Sequence, residues 1–140
     1  MSIPELIQPH PSPEEIFEDI YQNNRWGSSE SRSGSGSELR TTETLREELP
    51  KLLRYLNVKS MLDLPCGDYN WMSKVNLGGI FYRGADIVEE LIWNNRNKFP
   101  DVSFYAADAL EYQLQDFDLI LIRDMLVHFP YTDIWKCLRN

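Results

Sequence analysis

One glycine and two aspartates follow one another at intervals of about twenty residues from Gly67 onward. Gly67 follows the apolar run MLDLPC, Asp86 lies about twenty residues further on, and Asp108 closes the segment FYAAD. Glycine allows a tight turn and a close approach of backbone to ligand, and a carboxylate at that distance is suited to bind both hydroxyls of a ribose. Asp108 is then placed to accept from an adenine amine, with Ile87 and Ala109 flanking the base.

Short apolar segments that alternate with helical ones are the elements that must position these residues. Strands are predicted at residues 60–65, 80–87, 102–107 and 117–123, a helical turn at 69–75, and helices at 88–98, near 109–115 and at 131–140. Strands separated in this way pair in parallel through right-handed crossovers. We therefore predict an α/β fold with a partial, Rossmann-like, doubly wound and mainly parallel sheet in the strand order 3-2-1-4.

The amino-terminal part is predicted to be helical. Ser12 and Glu15 have the spacing of a capping box, and they precede a short amphipathic helix. Leucines repeat at helical spacing over residues 38–56, where we expect Pro50 to divide the run into two helices.

A serine- and glycine-rich loop, GSSESRSGSGS at residues 27–37, separates these helices. Its composition is typical of a flexible linker, although a loop that closes over a ligand has the same features. We predict one domain over 1–140, in which residues 1–58 form the helices and the loop, and 59–140 form the ligand-binding sheet.

Composition and charge narrow the range of partners. The chain has 14 Lys and Arg against 22 Asp and Glu, a formal net charge of -8, so we expect no nucleic-acid partner. No basic leader or long apolar run is present, which predicts a cytoplasmic protein without a membrane span. Two histidines and two cysteines are too few for a zinc-type cluster, so no metal site is predicted, and Cys66 and Cys137 are expected to be buried thiols.

Four segments together resemble a known enzyme family. The stretches LDLPCGDYNWM, YRGADIVEELI, FYAADAL and FDLILIRDMLVHF are similar to the successive motifs of class I S-adenosylmethionine-dependent methyltransferases, in a bacterial-type group with a PCGD first motif. The resemblance covers roughly residues 26–140. It implies S-adenosyl-L-methionine as the cofactor, and it implies that the loop at 27–37 belongs to the fold as a cofactor-covering element.

The resemblance also assigns roles to individual residues. Asp63 is similar to the first-motif acid, Gly67 to its retained glycine, Asp86 to the ribose-binding acid and Asp108 to the adenine-contacting acid. The sequence departs from the common pattern at Pro65, which stands at the first glycine, and at Tyr69, which stands at the third. We expect both to reshape the wall around the methionine moiety. A loop with so little glycine suits a phosphate-free cofactor better than a dinucleotide.

The segment after the fourth strand is the expected acceptor side. Arg123 is expected to contact the cofactor, and Asp124 and His128 are the candidate catalytic pair. If the segment is helical, these two share a face, so His128 could act as a general base while Asp124 fixes its tautomer. Two alternatives stay open: His128 packs structurally beside Phe129 and Pro130, or Asp124 contacts the cofactor amine.

Aromatic side chains and a cation or hydroxyl donor complete the expected site. Three aromatic residues are candidate walls, with ordinary core packing as the alternative: Trp26, Tyr69 and Trp71. The cofactor carboxylate needs a donor, for which Arg40, Arg46 and the segment from Ser33 to Ser37 are the local options. We favour the serines of that segment.

Methyl transfer to a small-molecule oxygen or nitrogen acceptor is the leading functional hypothesis. The usual fold of the resembled family has seven strands and this chain offers four, so a binding-only fragment or regulatory subunit is the second hypothesis. A nicotinamide-dependent oxidoreductase is the third. The apolar fourth strand is left at an edge, which a second copy in a homodimer, packing of the carboxy-terminal segment or a truncated chain would each explain.

Overall fold

One parallel sheet with helices on both faces forms the centre of the molecule. The computed structural model describes residues 10–113 and 116–139, so part of the helix predicted near 109–115 and the last residue of that predicted at 131–140 lie outside it. The strands are β1 (Ser60–Asp63), β2 (Phe81–Asp86), β3 (Ser103–Ala106) and β4 (Leu119–Leu121). The α-helices are α1 (Pro13–Gln22), α2 (Glu43–Tyr55), α3 (Glu89–Lys98) and α4 (Tyr131–Arg139). Single 3₁₀ turns are found at Ser35–Ser37, Met72–Lys74 and Leu126–His128.

The strand order is β3-β2-β1-β4 with every pair parallel, which confirms the predicted fold class and topology. Met61 of β1 lies opposite Tyr82 of β2 on one side and Leu119 of β4 on the other. Asp63 and Asp86 are the last residues of their strands. The carboxyl ends of the strands therefore bring both carboxylates to one edge of the sheet, beside the switch point between β1 and β4.

Buried residues pack in two clusters. Neighbouring residues of a strand point to opposite faces, and accordingly Met61 belongs to one cluster, with Leu53 of α2 and Ile92 of α3. Leu62 belongs to the other, with Cys137 of α4. The sheet is therefore held from both sides, by α2 and α3 on one face and by α4 on the other.

Helix α1 begins at the predicted capping box. The Ser12 hydroxyl accepts from the Glu15 N–H at 3.2 Å, and the Glu15 carboxylate accepts from the Ser12 N–H at 2.7 Å. None of the residues of α1 is buried, although Phe17 and Tyr21 pack against the first cluster. The apolar side of α1 therefore lies over the sheet edge without being enclosed in the core.

The predicted break at Pro50 is wrong, because α2 runs through this proline as one helix. An internal proline removes a hydrogen bond and costs about 3 kcal/mol. Leu49 and Leu53, on either side of it, are both buried in the core. Full burial of a leucine is worth about 1.5–3 kcal/mol, so continuing the helix recovers what the proline costs.

The chain around β4 and α4 is less regular and less enclosed. Of the helix predicted near 109–115, the described part forms only a turn, in which the Tyr112 N–H donates to the Asp108 carbonyl at 2.8 Å. Strand β4 is shorter than predicted and contains no buried residue. In the described ranges it pairs with β1 alone, so its other edge is open, and Ile120 is 36% exposed.

The two cysteines have the state expected from the sequence. Cys66 and Cys137 are both buried free thiols, as predicted. No α-helix within residues 10–113 and 116–139 combines the length and the apolar character needed to cross a membrane. Within the same ranges, no group of three or more His, Cys, Asp or Glu side chains is arranged to hold a metal ion.

Candidate functional site

A cavity opens at the carboxyl ends of β1, β2 and β3, below α1. Counted together with the open solvent at its mouth, its empty space is about 1010 Å³. Twelve of the residues named as site candidates from the sequence line this cavity: Trp26, Ser37, Asp63, Pro65, Gly67, Asp86, Ile87, Asp108, Ala109, Arg123, Asp124 and His128. The fold thus brings together residues from five separate segments of the chain.

Asp86 is held at the cavity wall by backbone donors. Its carboxylate accepts from the Gly67 N–H at 3.0 Å and from the Val88 N–H at 3.1 Å, one on each oxygen. Burial raises the pKa of Asp86 to about 6, against the lowering effect of these N–H donors, so the group is mostly ionised at pH 7. Because a carboxylate offers about four acceptor positions, Asp86 can accept from a ligand in addition to these backbone donors.

The structure gives Gly67 a second reason to be glycine. Its φ is +54°, a left-handed conformation that glycine adopts without strain. A Cβ at this position would collide with the Ser33 hydroxyl and lie 3.0 Å from Ser33 Cβ. The loop at 27–37 therefore fills the space where a Cβ of residue 67 would stand, and Gly67 also lines the cavity.

Asp63 is buried at the end of β1 beside the same cavity. The Tyr82 hydroxyl donates to Asp63 Oδ2 at 2.8 Å. Burial raises the pKa of Asp63 to about 7; the Tyr82 hydrogen bond lowers it, the Asp86 charge raises it and the Arg123 charge lowers it. Asp63 is therefore a carboxyl group that exchanges its proton near neutral pH.

The residues after β2 and β3 form the opposite end of the cavity. Asp108 is partly buried, and its Oδ1 accepts from the Leu110 N–H at 2.8 Å. Ala109 is buried directly after it, and Ile87 is partly buried after β2. This end combines one carboxylate with two apolar surfaces, which is the chemistry suited to the edge and the faces of a flat base.

Arg123 joins the end of β4 to the loop at 27–37. Its guanidinium donates to the Gly36 carbonyl at 2.9 Å, pairs with Asp124 at 3.0 Å and lies 5.7 Å from the centre of the Trp71 ring. Asp124 adopts a φ of +56°, and 63% of its side chain is exposed. The candidate acceptor side is thus much more open to solvent than the wall around Asp86.

The expected pairing of Asp124 with His128 is wrong. The segment is not α-helical, since only Leu126–His128 form a 3₁₀ turn, and the Asp124 carboxylate pairs with Arg123 instead. The His128 ring stacks on the Trp26 ring, with 6.1 Å between the ring centres, and packs in a T-shaped arrangement with the Phe17 ring, with 6.0 Å between the centres. His128 therefore lies at the mouth of the cavity against aromatic residues of the amino-terminal segment.

The serine loop, defined as residues 27–37, is a packed part of the fold and not a flexible linker. Ser31 is 1% exposed and Ser37 is also buried. The Ser28 hydroxyl donates to the Glu38 carboxylate at 2.7 Å, and Glu30 accepts from the Leu39 N–H at 2.7 Å. Serine thus serves here as a source of short hydrogen bonds across the loop.

Only some of the candidate donors for the cofactor carboxylate lie at the cavity. Ser33 and Ser37 line the cavity, whereas Arg40 and Arg46 do not; Arg46 donates to the Leu39 carbonyl at 2.9 Å instead. Sequence reasoning missed Arg32, which does line the cavity. Its position inside the serine loop, directly before Ser33, was the available signal.

The three candidate aromatic walls also differ. Trp26 and Trp71 line the cavity, but Tyr69 does not. Tyr69 is buried in the core, where its ring packs against Phe99 at 5.0 Å and Phe104 at 5.2 Å. The expectation that Tyr69 shapes the ligand wall is therefore wrong, and the core-packing alternative is correct.

Among known proteins, this chain is similar to several whose structures have been solved. No protein-family model matches the sequence, and no curated protein matches it. The PH0226 protein from Pyrococcus horikoshii OT3 is 25% identical over 71% of this chain and 50% of its own, with a TM-score of 0.57. Magnesium protoporphyrin IX methyltransferase (ChlM) from Synechocystis PCC 6803, solved with bound S-adenosylmethionine, is 14% identical over 94% of this chain and 71% of its own, with a TM-score of 0.63.

A further solved structure has the same fold with a related ligand. The N-methyltransferase NodS from Bradyrhizobium japonicum WM9, in complex with S-adenosyl-L-homocysteine, is 18% identical over 86% of this chain and 65% of its own, with a TM-score of 0.64. The chain thus spans half to about two thirds of the length of PH0226 and NodS. These similarities show that its fold is a Rossmann-like methyltransferase fold.

Proposed function

We propose that this chain binds S-adenosyl-L-methionine in the cavity and supplies the cofactor-binding half of a methyltransferase. The observation that carries this proposal is that Gly67, Asp86 and Asp108, three groups from three successive motifs, line one cavity at the carboxyl ends of adjacent parallel strands. ChlM and NodS, which have the same fold, were solved with S-adenosylmethionine and S-adenosyl-L-homocysteine respectively.

In this proposal the nucleoside lies across the ends of β2 and β3. Asp86, fixed by two backbone donors, accepts from the ribose hydroxyls. Asp108 accepts from the adenine amine, and Ile87 and Ala109 contact the faces of the base. The apolar contacts exclude water from both carboxylates, which strengthens their hydrogen bonds to the ligand.

The methionine end would lie between β1 and the serine loop. Arg32, Ser33 and Ser37 line the cavity. The Ser33 hydroxyl donates to Asp68, so the Arg32 guanidinium and the Ser37 hydroxyl are the proposed donors to the cofactor carboxylate. Asp63 and Pro65 line it from β1. An ammonium group beside Asp63 would favour the ionised carboxylate, because an adjacent positive charge lowers a carboxyl pKa.

The acceptor would approach from the side of Arg123, Asp124 and His128. A sulfonium cofactor supplies an activated methyl group that needs no acid to leave, so the work of the protein is to align the acceptor and exclude water. His128 is proposed as the general base for a small-molecule hydroxyl or amine, with the rings of Trp26 and Phe17 fixing its orientation.

Calorimetry with purified protein tests cofactor binding. We expect heat of binding with S-adenosylmethionine and S-adenosylhomocysteine and none with NAD, because the cavity lacks the glycine-rich cradle that a pyrophosphate needs. An absence of heat with both sulfur ligands would contradict the proposal. Heat with NAD alone would favour the oxidoreductase hypothesis.

A binding module without catalysis is the second candidate. It is favoured by the length of the chain, which spans 50% of PH0226 and 65% of NodS. Incubation with methyl-labelled cofactor and a panel of small hydroxyl and amine acceptors separates the two functions. Label transfer that His128→Ala lowers roughly 100-fold or more supports catalysis, whereas cofactor binding without any transfer supports the module.

A further inference from the structure

Asp68, the residue after Gly67, is the centre of a hydrogen-bond network that reaches the serine loop. Its carboxylate accepts from the Ser31 hydroxyl at 3.0 Å, from the Arg32 N–H at 2.8 Å and from the Ser33 hydroxyl at 3.3 Å. Its own N–H donates to Ser33 Oγ at 2.9 Å. One side chain thus holds three consecutive residues from a segment more than thirty positions earlier in the chain.

These contacts set part of the cavity wall. Arg32 and Ser33 line the cavity, but Asp68 does not. The Ser33 side chain occupies the space that a Cβ at Gly67 would fill, so the loop can lie this close only because residue 67 is glycine. The glycine makes room for the loop, and the neighbouring carboxylate holds the loop in that room.

We propose that Asp68 is a positioning residue of the cofactor site. It acts through Ser31, Arg32 and Ser33, holding the loop so that Ser33 packs against Gly67 and the Arg32 guanidinium faces the methionine end of the cavity. The inference rests on the proposed cofactor binding. Asp68 therefore raises affinity without contacting the ligand, because the loop donors are already ordered before binding.

A second set of contacts keeps the loop attached when Asp68 is altered. Glu30 accepts from the Asn70 side-chain amide at 2.7 Å, and the same amide donates to the Ser37 carbonyl at 3.0 Å. These two bonds are made by the Asn70 side chain and not by the Asp68 carboxylate, which accepts from Asn70 only through the Asn70 backbone N–H, at 3.2 Å. Loss of the Asp68 contacts is therefore expected to release residues 31–33 while the loop ends remain in place.

The chain offers a matched control for this carboxylate. Asp118 accepts from the Lys59 N–H at 2.7 Å and from the Ser60 N–H at 2.9 Å, which are also far from it in sequence. It does not line the cavity. Asp118→Asn therefore removes a carboxylate that bridges distant backbone donors, as Asp68→Asn does, but at a site remote from the cofactor.

The test measures two quantities on the wild type, Asp68→Asn and Asp118→Asn. Calorimetry with S-adenosylhomocysteine is expected to show about tenfold to a hundredfold weaker binding for D68N, since hydrogen bonds to a charged acceptor are lost, and a change below about twofold for D118N. Amide hydrogen exchange without ligand is expected to accelerate at Arg32 and Ser33 in D68N only.

The outcomes separate this inference from the proposed function. If the wild type does not bind S-adenosylhomocysteine, the proposed function fails, and the exchange rates alone decide whether Asp68 holds the loop. Wild-type affinity in D68N overturns the positioning role, and unchanged exchange at Arg32 overturns the loop contact. If D68N does not fold, Ser31→Ala, which removes one donor and keeps the carboxylate, replaces it; unchanged affinity and exchange in S31A would then overturn the inference.

Discussion

The two sides of the candidate site differ in how firmly the chain holds them. On the cofactor side, Asp86 is 6% exposed and is fixed by two backbone N–H groups. On the acceptor side, 63% of the Asp124 side chain is exposed, and no residue of β4 is buried. Core packing and hydrogen bonds thus complete the first region within the chain, whereas the second depends on a short edge strand.

The difference lies in how many contacts within the chain hold each side. The candidate cofactor side is held by backbone donors, by the Tyr82 hydroxyl and by the serine loop. The acceptor side has side chains of suitable chemistry at an exposed edge. We infer that residues of this chain are sufficient to bind the cofactor. We infer also that acceptor specificity depends on the segment or partner that packs against the edge of β4.

The largest expected effect compares two residues that lie opposite each other in neighbouring strands. Leu62 of β1 pairs in register with Ile120 of β4; Leu62 is fully buried and Ile120 is 36% exposed. At low protein concentration, Leu62→Ala should lower the free energy of unfolding by about 2–5 kcal/mol and Ile120→Ala by less than about 1 kcal/mol. Urea denaturation measures both, and equal losses would contradict the contrast between the two regions.

The second prediction uses the titration of Asp63. Its pKa is raised from 3.8 to about 7 in the fold, so the folded state binds more protons between these pH values and stability falls as pH rises through this window. Asp63→Asn keeps an acceptor for Tyr82 and removes the titration. As pH rises from 4 to 8, the free energy of unfolding of D63N should therefore increase by about 2–4 kcal/mol relative to that of the wild type. Urea denaturation at a series of pH values measures this difference.

A pH-independent difference between wild type and D63N would show that Asp63 is ionised in the fold. Asp86 contributes in the same direction, since its pKa is also raised, to about 6. Asp86 is present in both proteins, so its titration remains in D63N. The residual pH dependence of D63N over this window should therefore be smaller than that of the wild type, but not zero.

The third prediction compares one carboxylate from each region. Asp86→Ala should weaken S-adenosylhomocysteine binding by about 1–3 kcal/mol, because the ribose hydroxyls lose their acceptor. Asp124→Ala should change the affinity by less than about 0.5 kcal/mol, since the side chain is mostly exposed and pairs with Arg123. Calorimetry under identical conditions measures both. The reverse order would place the cofactor on the β4 side.

The smallest effect concerns the open edge. We propose that a second copy of the chain covers β4 at high concentration, since its apolar residues lie at an edge that, among residues 10–113 and 116–139, pairs with β1 alone. Light scattering after size exclusion should then report a dimer, and Ile120→Lys should restore the monomer. Little effect is expected for Trp135 of α4, which is 60% exposed. Trp135→Ser should change the free energy of unfolding by less than about 0.5 kcal/mol relative to the wild type. A monomer at every concentration would contradict the dimer.

Sequence reasoning succeeded where a signal is local. The capping box at Ser12 and Glu15 and the alternation of strands and helices depend on neighbours within a few positions, and both are confirmed. It failed where a distant contact decides the outcome. Pro50 lies inside a continuous helix because Leu49 and Leu53 are buried, and Tyr69 packs in the core against Phe104 of β3.

The sequence by itself determined the fold class, the strand order and the set of side chains that meet at the ends of the strands. Periodicity and strand-end position are encoded by adjacent residues, and parallel pairing then leaves few arrangements. Only the tertiary structure decided that Gly67 admits Ser33, that Asp68 holds the serine loop and that His128 stacks on Trp26. These contacts join residues thirty or more positions apart, and such pairs leave no periodic pattern in the sequence.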